Sequence, residues 1–212
     1  MIVKILKPSA KFSGVRYNTN KMDSGKGELM KVCGFGPLQA YSRLLPEDYV
    51  KYLEMVSSRN KRIKLPQFHA VLSAKGREMG KEALTDLASK WLEKMGYKDQ
   101  PYLVVFHKDT DNNHVHIVSS RIDKQGKKIS SAFEKIRAVT QLNRIMQLDE
   151  YHIARQDLAR ALAYNFSTKA QFMLILESQG YVFSERAGKL DLIKFGKTLA
   201  DVDLGLVKTS IT

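Results

Sequence analysis

The chain has 212 residues with a single cysteine, Cys33, which excludes an internal disulfide framework and a cysteine-based metal site. Its 35 Lys and Arg against 22 Asp and Glu give a formal charge of +13, which indicates a polyanionic partner such as nucleic acid. No apolar stretch approaches the roughly 20 residues of a membrane-spanning helix, so a cytoplasmic protein without a membrane partner is expected.

The first third of the chain predicts a strand, an irregular segment and a helix. "MIVKILK" predicts a short strand that Pro8 ends. Residues 9–36 are rich in Gly, Asn, Ser and Lys without clear periodicity, which predicts a long loop. "PLQAYSRLLPEDYVKYLEMVSSRN" has helical spacing, and Pro46 followed by two acids suits the start of a helix.

Three strands and an amphipathic helix are predicted in the middle of the chain. "PQFHAVLSA" (66–74) predicts a strand, and "GKEALTDLASKWLEKMGY" repeats apolar residues every three or four positions, which is typical of a helix. "PYLVVFH" (101–107) and "HVHIVSSRI" (114–122) predict two more strands. The six residues between them are rich in Asp and Asn, which favour a turn.

The C-terminal part predicts mainly helices. A long helix is expected over 131–164 and another over 167–180, followed by a weak strand or two. The mixture indicates an α+β domain over 1–165 and a small, mostly helical appended segment over 166–212. The ending "LADVDLGLVKTSIT" is compatible with the N-terminal part of a longer protein.

Three of the five histidines fall within "HKDTDNNHVH" (107–116). Residues i and i+2 of a strand share a face, so His114 and His116 project side by side, and pairing of the two strands could bring His107 beside them. Three imidazoles with an open position are the ligand set of a catalytic metal site. Asp109 is within plausible reach of His107 to accept its second N–H. The pattern predicts a divalent-metal site for phosphate chemistry.

The same histidines also have a simpler interpretation. A lone histidine on a strand is more often a packed or surface residue than a ligand, but two adjacent imidazoles in an apolar strand are costly to bury without a partner. Three imidazoles are compatible with Zn, Mn, Ni or Co, and phosphate chemistry admits Mg or Mn, so the ligands do not identify the metal as Mg, Mn or Zn. The nucleophile would be a metal-bound water or a hydroxyl side chain.

"FHKDTDNNHVHIVSSRID" resembles the metal motif of the conjugative and mobilisation relaxases of the HUH endonuclease superfamily. The likeness rests on the step from His107 to His114, the H-x-H pair and Asp109, and "FHAVLSA" upstream is similar to the family's histidine-containing strand. The resemblance covers about residues 1–165. It implies an α+β fold related to the ferredoxin-like folds, in which an antiparallel sheet of about five strands carries helices mainly on one face.

The resemblance also implies an activity and partners. Relaxases nick one DNA strand at the origin of transfer of a plasmid or transposon, and an N-terminal tyrosine becomes joined to the 5′ phosphate for conjugative mobilisation. Tyr17 is the only tyrosine before Tyr41 and is the predicted nucleophile, with Tyr41 second. The implied partners are single-stranded and supercoiled origin DNA, accessory relaxosome proteins and a coupling protein, and the chain is expected to be a monomer.

Other polar residues receive weaker assignments. Tyr17 itself could be a packing residue, since most loop tyrosines are. His69 is either a second-layer partner of the metal site or a structural histidine, and His152 is expected to be structural or surface-exposed. Five basic residues are candidate phosphate contacts: Arg16, Lys21, Arg121, Lys127 and Lys128.

Three alternatives remain open at this stage. Rolling-circle replication initiators and transposases of the same superfamily place the tyrosine after the metal motif, where this chain has Tyr151. The histidines could instead hold a metal for hydrolysis by water. The chain could also be a DNA-binding module without catalysis.

Overall fold

The structure is a computed structural model that describes residues 1–41 and 44–209. Ser42 and Arg43, which fall inside the stretch 37–60 predicted as helical, lie outside the described residues, as do residues 210–212 at the end of the predicted appendage. The chain divides into two compact units, Met1–Ile145 and Met146–Thr212.

The first unit is built on a five-stranded antiparallel sheet in the order β1-β3-β5-β4-β2. The central strands form because they are apolar runs of strand length, and all six residues of β4 are buried. The strands are β1 (Ile2–Ile5), β2 (Gly27–Cys33), β3 (Gln67–Ser73), β4 (Tyr102–His107) and β5 (His114–Ser120).

Helices cover both faces of this sheet. Trp91 of the third helix stacks on Phe68 of β3, whereas Val15 of the first helix and Leu53 of the second pack on the opposite face. The predicted fold class, α+β with a five-stranded antiparallel sheet, is confirmed, and the structure adds the layer formed by the first two helices. The helices of this unit are α1 (Ser13–Asp23), α2 (Pro46–Ser57), α3 (Lys81–Met95) and α4 (Glu134–Ile145), with a short 3₁₀ helix at Gly36–Ala40.

The long loop predicted over 9–36 is wrong, since α1 and β2 occupy most of it. The inward side of α1 carries Gly14 and Asn18 beside one apolar residue, Val15, in place of the apolar stripe that marks an amphipathic helix. The backbone N–H of Gly14 donates to Oε1 of Gln67 at 2.7 Å, and Asn18 Nδ2 donates to the Gly14 carbonyl at 2.6 Å. A hydrogen bond to β3 and the packing of Val15 therefore hold this helix on the sheet, although its sequence lacks the pattern of an amphipathic helix.

The second unit begins earlier than the predicted boundary at residue 165. The single helix predicted over 131–164 is wrong, because Gln147 adopts a positive φ of 57° and Asp149 accepts N–H bonds as the N-cap of a new helix. That helix, α5, packs on the last strand of the second unit. The elements of this unit are α5 (Glu150–Leu162), α6 (Lys169–Glu177), β6 (Val182–Arg186), β7 (Lys189–Lys194), β8 (Lys197–Asp203) and α7 (Leu204–Thr209).

The three strands of the second unit form an antiparallel sheet in the order β6-β7-β8. Its core joins helix residues such as Phe172 and Leu176 to strand residues such as Leu190 and Leu192. This sheet is more extensive than the weak strand or two that the sequence predicts. Within the described ranges, no helix is long and apolar enough to cross a membrane.

Candidate active site

The ends of β4 and β5 bring three histidines together. His107, the last residue of β4, pairs with His114, the first residue of β5, and His116 lies two residues further along the same face. One ring nitrogen of each histidine lies within 4.8 Å of those of the other two. The predicted convergence from two adjacent strands is confirmed, and the metal that it would hold remains a prediction.

His107 is the most enclosed of the three. It has no exposed surface, and neither of its ring nitrogens has a hydrogen-bond partner among the described residues. Burial, and secondarily the nearby His114, lowers its pKa to about 4, which keeps the ring neutral at physiological pH. A buried polar group without a partner is costly, and a neutral imidazole is a metal ligand, so the donor set fits a divalent cation.

The other two histidines each have a partner for one ring nitrogen. His114 Nδ1 lies 2.9 Å from the carbonyl of Asn112, which can only accept, so Nδ1 carries the proton and Nε2 keeps its lone pair. His116 Nδ1 lies 2.9 Å from Nε2 of His69. Burial lowers the pKa of His116 to about 2, with His107 as the next cause. One nitrogen of each ring thus remains available to a metal.

His69 lies in β3 directly behind His116. Its side chain is buried, and burial lowers its pKa to about 4. A ligand histidine commonly has its second nitrogen held by such an outer partner, which fixes the tautomer and the ring orientation. Of the two interpretations that the sequence leaves open, the position beside His116 favours the second-layer partner.

Asp109 does not hold His107 as the sequence predicts. Its carboxylate forms an ion pair with Lys21 at 2.5 Å, and no hydrogen bond joins it to His107 in the part of the chain that the structure describes. The hydrogen bond from Lys21 lowers the pKa of Asp109 and raises that of Lys21. The pair ties α1 to the connection between β4 and β5.

Tyr17 lies on α1, one helical turn before Lys21, and not in a loop. Its ring centroid is 5.9 Å from that of His107 and 5.5 Å from that of His116, and the side chain is 47% exposed. The Lys21 Nζ lies 5.9 Å from the centre of the Tyr17 ring. Tyr41 makes no ring contact with the histidines among the described residues, and Tyr151 lies in the second unit.

The five candidate phosphate contacts lie in different surroundings in the structure. Arg16 is exposed on α1 beside Tyr17, and Lys21 belongs to the site itself. Arg121 is wrongly predicted: its guanidinium is buried and forms a bidentate pair with Glu134 at 2.6 and 2.9 Å. Lys127 and Lys128 are exposed, but they follow the C-terminal end of β5, whereas His114 lies at the N-terminal end of that strand.

Two residues of the site carry no signal of their own in the sequence. A Cβ on Gly14 would lie 2.9 Å from His69 Nδ1, so glycine allows α1 to approach the histidines closely. Gln67 anchors the first turn of α1 through the Gly14 N–H. The i, i+2 spacing of Gln67 and His69 on a predicted strand would have placed both on one face, but nothing in the sequence shows that a helix packs there.

A family model described as the nuclease domain of MobA/VirD2-like relaxases matches residues 17–151. The match begins at Tyr17 and includes all three converging histidines. The chain belongs to this relaxase family. Searches of curated proteins and of solved structures found no match. Family membership makes this relaxase a DNA-nicking enzyme of mobilisation, which acts on DNA at an origin of transfer.

Proposed function

We propose that this relaxase nicks one strand of its origin DNA with Tyr17 as the nucleophile and keeps the 5′ phosphate on the protein as a phosphotyrosine. The observation that carries the proposal is the position of the Tyr17 ring within 6 Å of two of the three converging histidines. A phosphate placed between the tyrosine and the histidines would be within reach of both groups.

The reaction exchanges one phosphodiester for another. The bond from Tyr17 Oη to phosphorus forms, the bond from phosphorus to the 3′ oxygen breaks, the phenol loses its proton to solvent, and the 3′ oxygen takes one up. Because the phosphotyrosine is still an ester, the 3′ hydroxyl can attack it and reseal the strand. Such reversibility suits a protein that transfers DNA better than it suits a degradative nuclease.

The residues around Tyr17 support the attack in different ways. His107, His114 and His116 would hold a divalent cation, whose chemistry is to neutralise a phosphate oxygen and orient the phosphodiester. The Lys21 ammonium near the Tyr17 ring stabilises negative charge as it develops on the phenol oxygen. About half of the Tyr17 surface is open to solvent, so DNA can reach it.

The test is formation of a covalent adduct with a single-stranded origin oligonucleotide and Mn²⁺ or Mg²⁺. We expect wild-type protein and the control Tyr41→Phe to give a labelled protein band on a denaturing gel, and Tyr17→Phe to give none. An adduct from Tyr17→Phe would exclude this nucleophile. Cleavage with turnover and no adduct in the wild-type protein would indicate hydrolysis by water instead.

The remaining expectations about the metal and the assembly are part of this proposal. Addition of EDTA should stop adduct formation, and readdition of the preferred cation among Mg²⁺, Mn²⁺ and Zn²⁺ should restore it. Action as a monomer, together with accessory relaxosome proteins and a coupling protein, stays a prediction.

A further inference from the structure

The net positive charge of the chain is confined to its first unit. Residues 1–145 contain 27 Lys and Arg against 14 Asp and Glu, whereas residues 146–212 contain eight of each. The whole net charge of +13 therefore belongs to the unit with the five-stranded sheet.

A second concentration of positive charge lies at the opposite end of the sheet, in the segments 7–11, 59–64 and 121–128, which we name the distal basic surface. These segments contain ten Lys and Arg and a single acid, Asp123. The Asp123 carboxylate accepts two backbone N–H groups of its own turn. Apart from Arg121, none of the ten basic side chains forms an ion pair with an acid among the described residues.

Hydrogen bonds between the segments fix the shape of the distal basic surface. The Arg59 guanidinium donates to the carbonyl of Lys124, and Asn60 Nδ2 donates to the carbonyl of Gly126 at 2.9 Å. The 7–11 segment is attached by a bond from the Gln67 N–H to the carbonyl of Ser9 at 3.1 Å. A cleft of about 420 Å³, lined among others by Arg62, Lys64 and Lys128, lies within this surface.

The distal basic surface is separate from the candidate active site. Arg121 directly follows the seven residues of β5, of which His114 is the first, and a strand of that length spans about 20 Å at about 3.3 Å per residue. A ligand at the distal surface would therefore contact a different part of a DNA molecule from the scissile phosphate.

The composition of the distal basic surface favours duplex over single-stranded DNA. Its three segments contain no Phe, Tyr or Trp, whereas surfaces that hold single strands stack successive bases on aromatic side chains. A preformed array of cations instead suits the regular phosphate spacing of a double helix. We propose that the distal basic surface binds the phosphate backbone of duplex DNA, through contacts that do not read sequence. This inference rests on the proposed function only in taking DNA as the partner.

The experiment compares two variants of the 212-residue chain that lose the same charge. The distal variant carries Arg62→Gln, Lys64→Gln and Lys128→Gln. The control carries Lys90→Gln and Lys94→Gln on α3 and Lys98→Gln shortly after it. Binding of a labelled duplex of about 20 base pairs and of a thymidine strand of the same length is followed by fluorescence anisotropy in EDTA across a salt series. Thermal melting confirms that both variants are folded.

We expect the distal variant to bind the duplex on the order of 100-fold more weakly near 0.15 M salt, with a log–log salt slope reduced by about 2.7 for three lost phosphate contacts. The control variant should lose much less, and the thymidine strand should be affected only slightly. Equal losses in the two variants, no loss in either, or an equal loss for the single strand would overturn the proposal. The binding assay requires neither a metal nor nicking. A failure of the Tyr17 adduct assay would therefore not change the interpretation of the binding result.

Discussion

Removal of the His69 imidazole should weaken metal binding by this relaxase although His69 is not among the proposed ligands. Its Nε2 lies 2.9 Å from His116 Nδ1, and each of the two residues is only 7% exposed, so bulk solvent has little access to this bond. Loss of an outer hydrogen bond to a ligand histidine typically costs 10–100-fold in metal affinity, or about 1.4–2.7 kcal/mol. Because this site is buried, we expect His69→Ala to fall in the upper half of that range.

The measurement is a calorimetric titration of EDTA-treated protein with Mn²⁺. His69→Gln, whose amide oxygen can accept the bond, should retain part of the affinity, and His114→Ala should lose nearly all of it. His152→Ala is the matched control, because that imidazole is bonded to Asp149 in the second unit. If His69→Ala remains folded and binds Mn²⁺ within about twofold of the wild-type value, the role assigned to His69 is refuted.

Two further predictions concern stability. The pKa of His107 is lowered to about 4 in the folded protein, below its value of about 6.5 in an unfolded chain. The unfolded chain therefore binds more protons between these values, and His107 alone removes roughly 3 kcal/mol from the stability of the metal-free protein as pH falls from 6.5 to 4. The lowered pKa values of His69 and His116 act in the same direction. Equal urea midpoints at pH 7 and pH 4.5 in EDTA would contradict this. Arg121→Ala should lower the free energy of unfolding by about 3–5 kcal/mol because it leaves the largely buried side chain of Glu134 unpaired. A loss under about 1 kcal/mol in urea denaturation would show that the pair is not structurally important.

The histidine cluster of the candidate site, His107, His114 and His116, could be predicted from the sequence because it depends on strand geometry alone. Two apolar runs joined by six polar residues predict neighbouring strands, and the alternation of side chains then places His114 and His116 on one face. The pairing of His107 with His114 follows when the connection is a hairpin. No tertiary information beyond the two strands is needed.

The position of α1 and its Tyr17 depends on tertiary contacts that leave no periodic signal in the sequence. Helix α1 is held by Gln67 and by the close approach of Gly14 to His69, so its sequence lacks the apolar stripe of an amphipathic helix. The roles of Asp109 and Arg121 were wrongly predicted for a related reason. A charged residue contacts whichever partner the fold supplies, here Lys21 and Glu134, and sequence proximity does not reveal that partner.

Strand β3 supports both halves of the candidate site at once. Gln67 accepts a hydrogen bond from the helix that carries Tyr17, and His69, two residues further along the strand, is hydrogen-bonded to the ring of His116. The separation between the Tyr17 ring and the histidines is thereby set by two neighbouring positions of one interior strand of the sheet. Under the proposed mechanism, a substitution at either of these two positions would change the distance over which the phosphate is exchanged.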